Sequence, residues 1–164
     1  MDVRPCRPED RPALTEFLRG HNADVVARAG ELVDAVGQLA FLAWSEGHVV
    51  GAATFLVTGS DAELLTLHTA RRVDGIGSAL LSVVRDAVRS AGCARLHVVT
   101  TNDNLDALRF YQRRGFRMAR LRPGAVDRSR LLLKPGIPEV GEHGIPLRDE
   151  LELVASLSLE RTES

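Results

Sequence analysis

Glu63-Leu-Leu-Thr-Leu-His-Thr69 runs into Ala70-Arg-Arg-Val-Asp-Gly-Ile-Gly77. From there Ile76, Ala79, Leu80, Val83, Val84, Ala87 and Val88 recur at helical spacing until Gly92. Apolar residues at i, i+3, i+4, i+7 and onward make one buried stripe with polar residues opposite, so the stretch reads as strand, glycine loop, amphipathic helix. The first N–H groups of such a helix have no intrahelical partner, and the helix dipole adds partial positive charge beside them. The start of the helix therefore favours an anion. Glycine at 75 and 77 lets the backbone approach that anion with no side chain between. Two familiar phosphate motifs do not fit. A P-loop requires Gly-Lys-Ser/Thr, whereas Gly77 is followed by Ser78 and Ala79. A dinucleotide fingerprint places its first glycine directly after the strand and a small residue where this chain has Leu80. Taken alone, Gly-x-Gly also fits a helix entered through a flexible turn.

Around this unit, 164 residues with 45% hydrophobic and 26% charged content suit one globular domain, expected over 1–161 with 162–164 frayed. A net charge of −1 supplies no general field for nucleic acid. The N-terminus lacks the apolar run of a signal peptide and no segment is long enough to span a membrane, which predicts a cytoplasmic protein. Cys6 and Cys93 have no metal or redox spacing and the five histidines are scattered, so no metal is expected. Lys134 is the only lysine, a bias of the kind that genome composition produces.

In chain order, residues 3–5 form a short strand and 8–19 a helix with Leu14, Phe17 and Leu18 inside, ended by Gly20. Residues 21–38 carry conflicting signals, strand or helix. Residues 39–45 and 49–58 flank Glu46-Gly47-His48 as antiparallel neighbours, and Gly59-Ser60-Asp61 turns into the strand at 63–69. A strand follows at 94–100 by its β-branched content, and Thr101-Asn-Asp-Asn104 caps a helix over 105–114 that Gly115 stops. Residues 116–121 return as a strand. The crossover helix makes the strands near 63 and 94 parallel. Residues 123–146 hold four of the seven prolines and a short helix at 125–133, and alternation from Leu147 to Leu153 predicts a last strand. The pattern is mixed α/β (α+β), with antiparallel strands first and a parallel pair in the middle.

Two of these segments resemble the GNAT superfamily of acyl-coenzyme A dependent N-acyltransferases. Arg72-Val-Asp-Gly-Ile-Gly77 is similar to that family's Arg/Gln-x-x-Gly-x-Gly/Ala pyrophosphate loop, and Asn104-Leu-Asp-Ala-Leu-Arg-Phe-Tyr-Gln-Arg-Arg-Gly-Phe116 to its Asn-x-x-Ala-x-x-Phe-Tyr-x-x-x-Gly-Phe helix. The likeness is good over 39–116 and looser elsewhere; 96–116 and the tail Gly-Ile-Pro-Leu-Arg-Asp-Glu150 also resemble a bacterial subgroup whose acceptor the sequence does not name. It implies a parallel pair that splays apart, with acetyl-CoA in the notch and its pantetheine arm running along the central strand as an added strand would. The backbone of Leu67, His68 and Thr69 would then bind the pantetheine and polarise the thioester. Arg72, Val73, Asp74, Gly75, Ile76, Gly77 and Ser78 would hold the pyrophosphate. Asp74 departs from the family, which often has a basic or small residue there.

By the same resemblance Tyr111 occupies the general-acid position facing the departing thiolate, and Glu63 a position where some members carry the general base. Without the motif, Tyr111 reads equally as core on the helix face. Asn104 either contacts pantetheine or caps its helix. His68, beside apolar residues in a strand, reads as structural rather than as a base. Neither cysteine lies in a motif that would make it an acyl carrier, so transfer is expected to be direct, from acetyl-CoA to a primary amine of a small molecule or peptide. The acceptor is expected against residues near 24–34 and 123–146, with Asp127, Glu139 and Glu142 offering negative charge. The alternative is a coenzyme-binding sensor or interaction module without transferase activity. Oligomeric state is left open, a homodimer included.

Overall fold

The computed structural model describes residues 1–70 and 75–158. Arg72, Val73 and Asp74, and the tail expected to fray, lie outside the described residues. A seven-stranded sheet carries the fold: β1 (Asp2–Pro5), β4 (Leu39–Ser45), β5 (His48–Thr58), β6 (Asp61–Thr69), β7 (Arg95–Thr101), β9 (Glu150–Ser156) and β8 (Arg117–Arg122), in that spatial order. All neighbours are antiparallel except β6 and β7. The β4–β5 hairpin closes through Glu46 and Gly47, both with positive φ (50° and 77°), which is the geometry that matches strand twist.

Helix α1 (Arg11–Gly20) buries Leu14 and Leu18 in one apolar cluster with Leu42, Ala52 and Leu65. Helix α2 (Ile76–Ser90) buries Ile76, Leu80, Leu81, Val84 and Val88 in another, with Leu64, Leu96 and Leu153. Gly51 shows how closely α2 presses on the sheet. A Cβ there would lie 2.7 Å from Ile76 Cγ2 and 3.0 Å from Leu80 Cδ1.

The parallel pair is short, as the resemblance implied. β6 has nine residues, but only Asp61 through Leu64 pair with β7, opposite Arg95 through Val98. The cause lies in the β5–β6 register: Thr54 faces Thr66 while Phe55 faces Leu64, which leaves Leu65 as an extra residue in β6. Such a bulge bends its strand, and β6 leaves β7 at that point. Residues 65–69 thus keep β5 on one side and present an open edge on the other.

Several boundaries differ from the sequence reading. The helix expected over 8–19 is a 3-10 turn at Pro8–Asp10 followed by α1, which runs through Gly20. The ambiguous 21–38 stretch is a separate hairpin of β2 (Val25–Arg28) and β3 (Glu31–Asp34), turned by Ala29 and Gly30 at φ of 50° and 80°. Helix α3 (Leu105–Gln112) stops two residues before its expected end. The last strand begins at Glu150 rather than Leu147, because the N–H groups of Arg148 and Asp149 donate to Asn102 Oδ1, both at 3.0 Å, instead of to a strand. β9 then inserts between β7 and β8. Helix α4 (Ala125–Leu132) matches the expectation to within one residue.

Candidate active site

A cavity of about 450 Å³ opens where β6 and β7 part. One wall is the free edge of β6 through Leu67 and His68, with Val98 to Thr101 of β7 and Asn104, Ala107 and Tyr111 of α3. The other side is closed by the β2–β3 hairpin and by Val126, Ser129, Lys134, Ile137, Leu147 and Glu150. Folding therefore brings Glu63, Leu67, His68, Asn104 and Tyr111 to one space. Thr69 and Gly75 through Ser78 do not line it. They sit at the far end of β6, where the Thr69 Cγ2 methyl comes within 4.0 Å of a Cβ built on Gly77.

Gly75, at φ 69°, is the N-cap of α2, and among the described residues no side chain caps that helix. The first N–H groups of α2, like those of any helix, have no intrahelical partner. Sequence reasoning missed Arg114. Its Nη2 and Nε donate to Ser78 Oγ at 2.7 and 3.2 Å, and its guanidinium lies 3.7 Å from the centroid of Phe110. That places a fixed cation at the start of α2. A second hollow, lined by Asp106, Arg109, Phe110, Arg113 and Arg114, continues along the exposed flank of α3.

Tyr111 is a core residue, one of the two readings its position allowed. Its ring is packed edge-on against Phe110 and Phe116, each centroid 5.2 Å away, while the residue lines the cavity. Burial pushes its phenol above the ordinary range, so the hydroxyl keeps its proton throughout the physiological range. Asn104 caps α3 by accepting from Ala107 N at 3.1 Å and also lines the cavity.

Glu63 is held from both oxygens. Arg28 Nε donates to Oε2 at 2.7 Å and Arg28 Nη2 to Oε1 at 2.9 Å. Burial works against the Arg28 charge, but the hydrogen bonds and charges of Glu63 and Glu31 outweigh it and its pKa rises. Part of the Glu63 charge is thus already spent on the hairpin. A second carboxylate, Glu150, is buried and accepts from Ala29 N at 3.0 Å and Arg122 Nη1 at 3.2 Å. The sequence reading quoted it within the tail but gave it no role, since its partner Ala29 is 121 residues away. Asp127, Glu139 and Glu142, the acids expected near the acceptor, do not line the cavity; Asp127 is turned instead toward Arg130, at 3.0 Å.

His68 faces the cavity with its ring centroid 5.1 Å from that of His21. Burial first, and the nearby His21 second, push its pKa down to about 4. It is a neutral imidazole at pH 7.

The sequence profile described as the Acetyltransferase (GNAT) family matches residues 5–116, more than half of the chain. The chain belongs to the GNAT acetyltransferase family. As a GNAT protein it is an acetyl-CoA dependent N-acetyltransferase. Its relatives include two uncharacterized proteins of Bacillus subtilis (strain 168). YxbD is 39% identical over 163 residues, covering 96% of this chain and 99% of that one. YdhI is 44% identical over 105 residues, covering 64% of this chain and just 65% of its own length. Among solved structures, a GNAT acetyltransferase from Elizabethkingia anophelis with acetyl-CoA bound superposes with a TM-score of 0.65. It is 20% identical, and the match covers 94% of this chain and 97% of that one. No helix among the described residues is long and apolar enough to cross a membrane.

Proposed function

We propose that this GNAT protein transfers the acetyl group of acetyl-CoA directly to a primary amine of a small molecule or peptide. The observation that carries the reading is the open edge of β6 over 65–69, leading from the cavity to the start of α2. The pantetheine arm completes that edge through main-chain hydrogen bonds. The thioester carbonyl lies against the backbone of Leu67, His68 and Thr69, and the pyrophosphate against Gly75, Ile76, Gly77 and Ser78. Arg114 supplies the cation there. The amine enters from the side of the hairpin and α4, as a neutral base, after losing a proton to water that Glu63 orders. It attacks the carbonyl carbon; the C–S bond breaks, and the Tyr111 hydroxyl donates to the sulfur as negative charge develops.

Two measurements test this reading. Acetyl-CoA engages only the folded state, so at a hundredfold excess over Kd it stabilises by about 2.7 kcal/mol. The melting temperature is expected to rise with acetyl-CoA and with desulfo-CoA but not with NAD. No rise, or an equal rise with NAD, overturns the reading. Arg114→Gln is expected to weaken acetyl-CoA binding by roughly tenfold, since hydrogen bonds to a charged group contribute about 1.5 to 3 kcal/mol and Ser78 retains its helix amides. Calorimetry reads the change. Unaltered affinity would confine Arg114 to bracing Ser78 against Phe110.

A further inference from the structure

Twenty of the twenty-one Lys and Arg residues are arginine, leaving Lys134 as the single side-chain amine of the chain. A guanidinium is always charged and is no acyl acceptor, whereas an ammonium becomes a nucleophile on losing one proton. Lys134 follows α4, is half-buried, and lines the same cavity as Tyr111, Glu63 and His68. Its Nζ donates to the carbonyls of Val25 at 2.9 Å and Asn22 at 3.2 Å, and both of those residues also line the cavity. No carboxylate pairs with it among the described residues. Among the described residues its ammonium is held by hydrogen bonds to these two main-chain carbonyls, and its flexible four-carbon stem lets the nitrogen swing inward.

We propose that Lys134 is a self-acetylation site, modified by the acetyl-CoA bound in its own chain; the inference rests on the function proposed above. The deprotonated Nζ attacks the thioester carbonyl carbon, the N–C bond forms as the C–S bond breaks, and the sulfur leaves with the second proton as free CoA. No other reactant is needed. An acetylated Nζ keeps one N–H where the ammonium had three, so the bonds to both Asn22 and Val25 cannot persist. The added acetyl group also fills the acceptor side. Modification therefore slows transfer to an external amine.

Purified full-length protein incubated with acetyl-CoA is expected to gain one acetyl group on Lys134, by intact mass and peptide mapping. The rate per molecule should not depend on protein concentration, and excess desulfo-CoA should suppress it. Lys134→Arg keeps the cation and both carbonyl bonds and should remain unmodified, while peptide mapping separates any acetylation of the Met1 amine. Calorimetry on the same sample distinguishes the failures. If acetyl-CoA binds yet Lys134 stays unmodified, or is modified equally under desulfo-CoA, self-acetylation is overturned and the proposed function stands. If acetyl-CoA does not bind, the proposed function itself falls.

Discussion

Tyr111→Phe is expected to lower kcat by roughly tenfold to a thousandfold, or about 1.4 to 4 kcal/mol of transition-state stabilisation, while coenzyme affinity stays within a few fold. In water a phenol near pKa 10 is about 1.5 units weaker as an acid than a thiol near 8.5, so complete transfer of its proton to CoA thiolate is already uphill. Burial raises the Tyr111 phenol further. The hydroxyl therefore acts by a hydrogen bond that tightens as charge appears on sulfur, and water completes the protonation. An interaction of that kind belongs to the transition state rather than to the bound ground state. The packing separates this effect from a loss of fold. The ring keeps both edge contacts in the variant, and the hydroxyl has no hydrogen-bond partner among the described residues, so its removal leaves no orphaned group. The melting temperature should shift by no more than a few degrees. Thiol release under single-turnover conditions is the measurement, and an unchanged chemical step would leave Tyr111 as a core residue alone.

What the sequence made legible were features written locally. The helical stripe from Ile76 to Val88, the left-handed glycines at 75, 92 and 115 and the cap at Asn104 all depend on near neighbours, and each stands within a residue or two of its expected place. The splay of β6 and β7 came only with the family resemblance. Its cause, the extra residue at Leu65, is a matter of register between strands and leaves no periodic trace. The acceptor side was the least legible part for the same reason. Arg28 with Glu63, Ala29 with Glu150, and Lys134 with Asn22 and Val25 join segments 35, 121 and more than 100 residues apart. Residues 25–34 looked ambiguous because a four-residue strand is too short to establish a period, and because their partners were unknown. Surface acids such as Asp127 were the visible candidates for amine binding. Glu150 was not, since only the packed structure shows that it is buried.

His68 gives the second large effect, on stability against pH. Its pKa is near 6.5 in the unfolded chain and about 4 in the folded one, so between those values the unfolded state binds the extra proton. Stability is then independent of this group above pH 6.5 and is lost as pH falls from about 6.5 to 4. At 1.36 kcal/mol per unit, the loss by pH 4.5 is about 2 to 3 kcal/mol. Among the described residues the titratable ring against it is His21, whose positive charge, when present, adds to the effect. Carboxylates contribute in a separate window: Asp61, held below its ordinary pKa by hydrogen bonds from His97 and Arg95, destabilises the fold only at more acid pH than His68 does. Urea unfolding at pH 7 and pH 4.5 should therefore show the full difference in the wild type and little of it in His68→Gln, which cannot take up a proton. Filling the cavity with desulfo-CoA removes more water from the imidazole and should steepen the wild-type dependence, because coenzyme would then favour the neutral ring. A slope that survives in His68→Gln would rule out His68 as its source. A flat wild-type profile would mean that water reaches His68 freely, and that the wall of the cavity along β6 is wetter than the pantetheine arm requires.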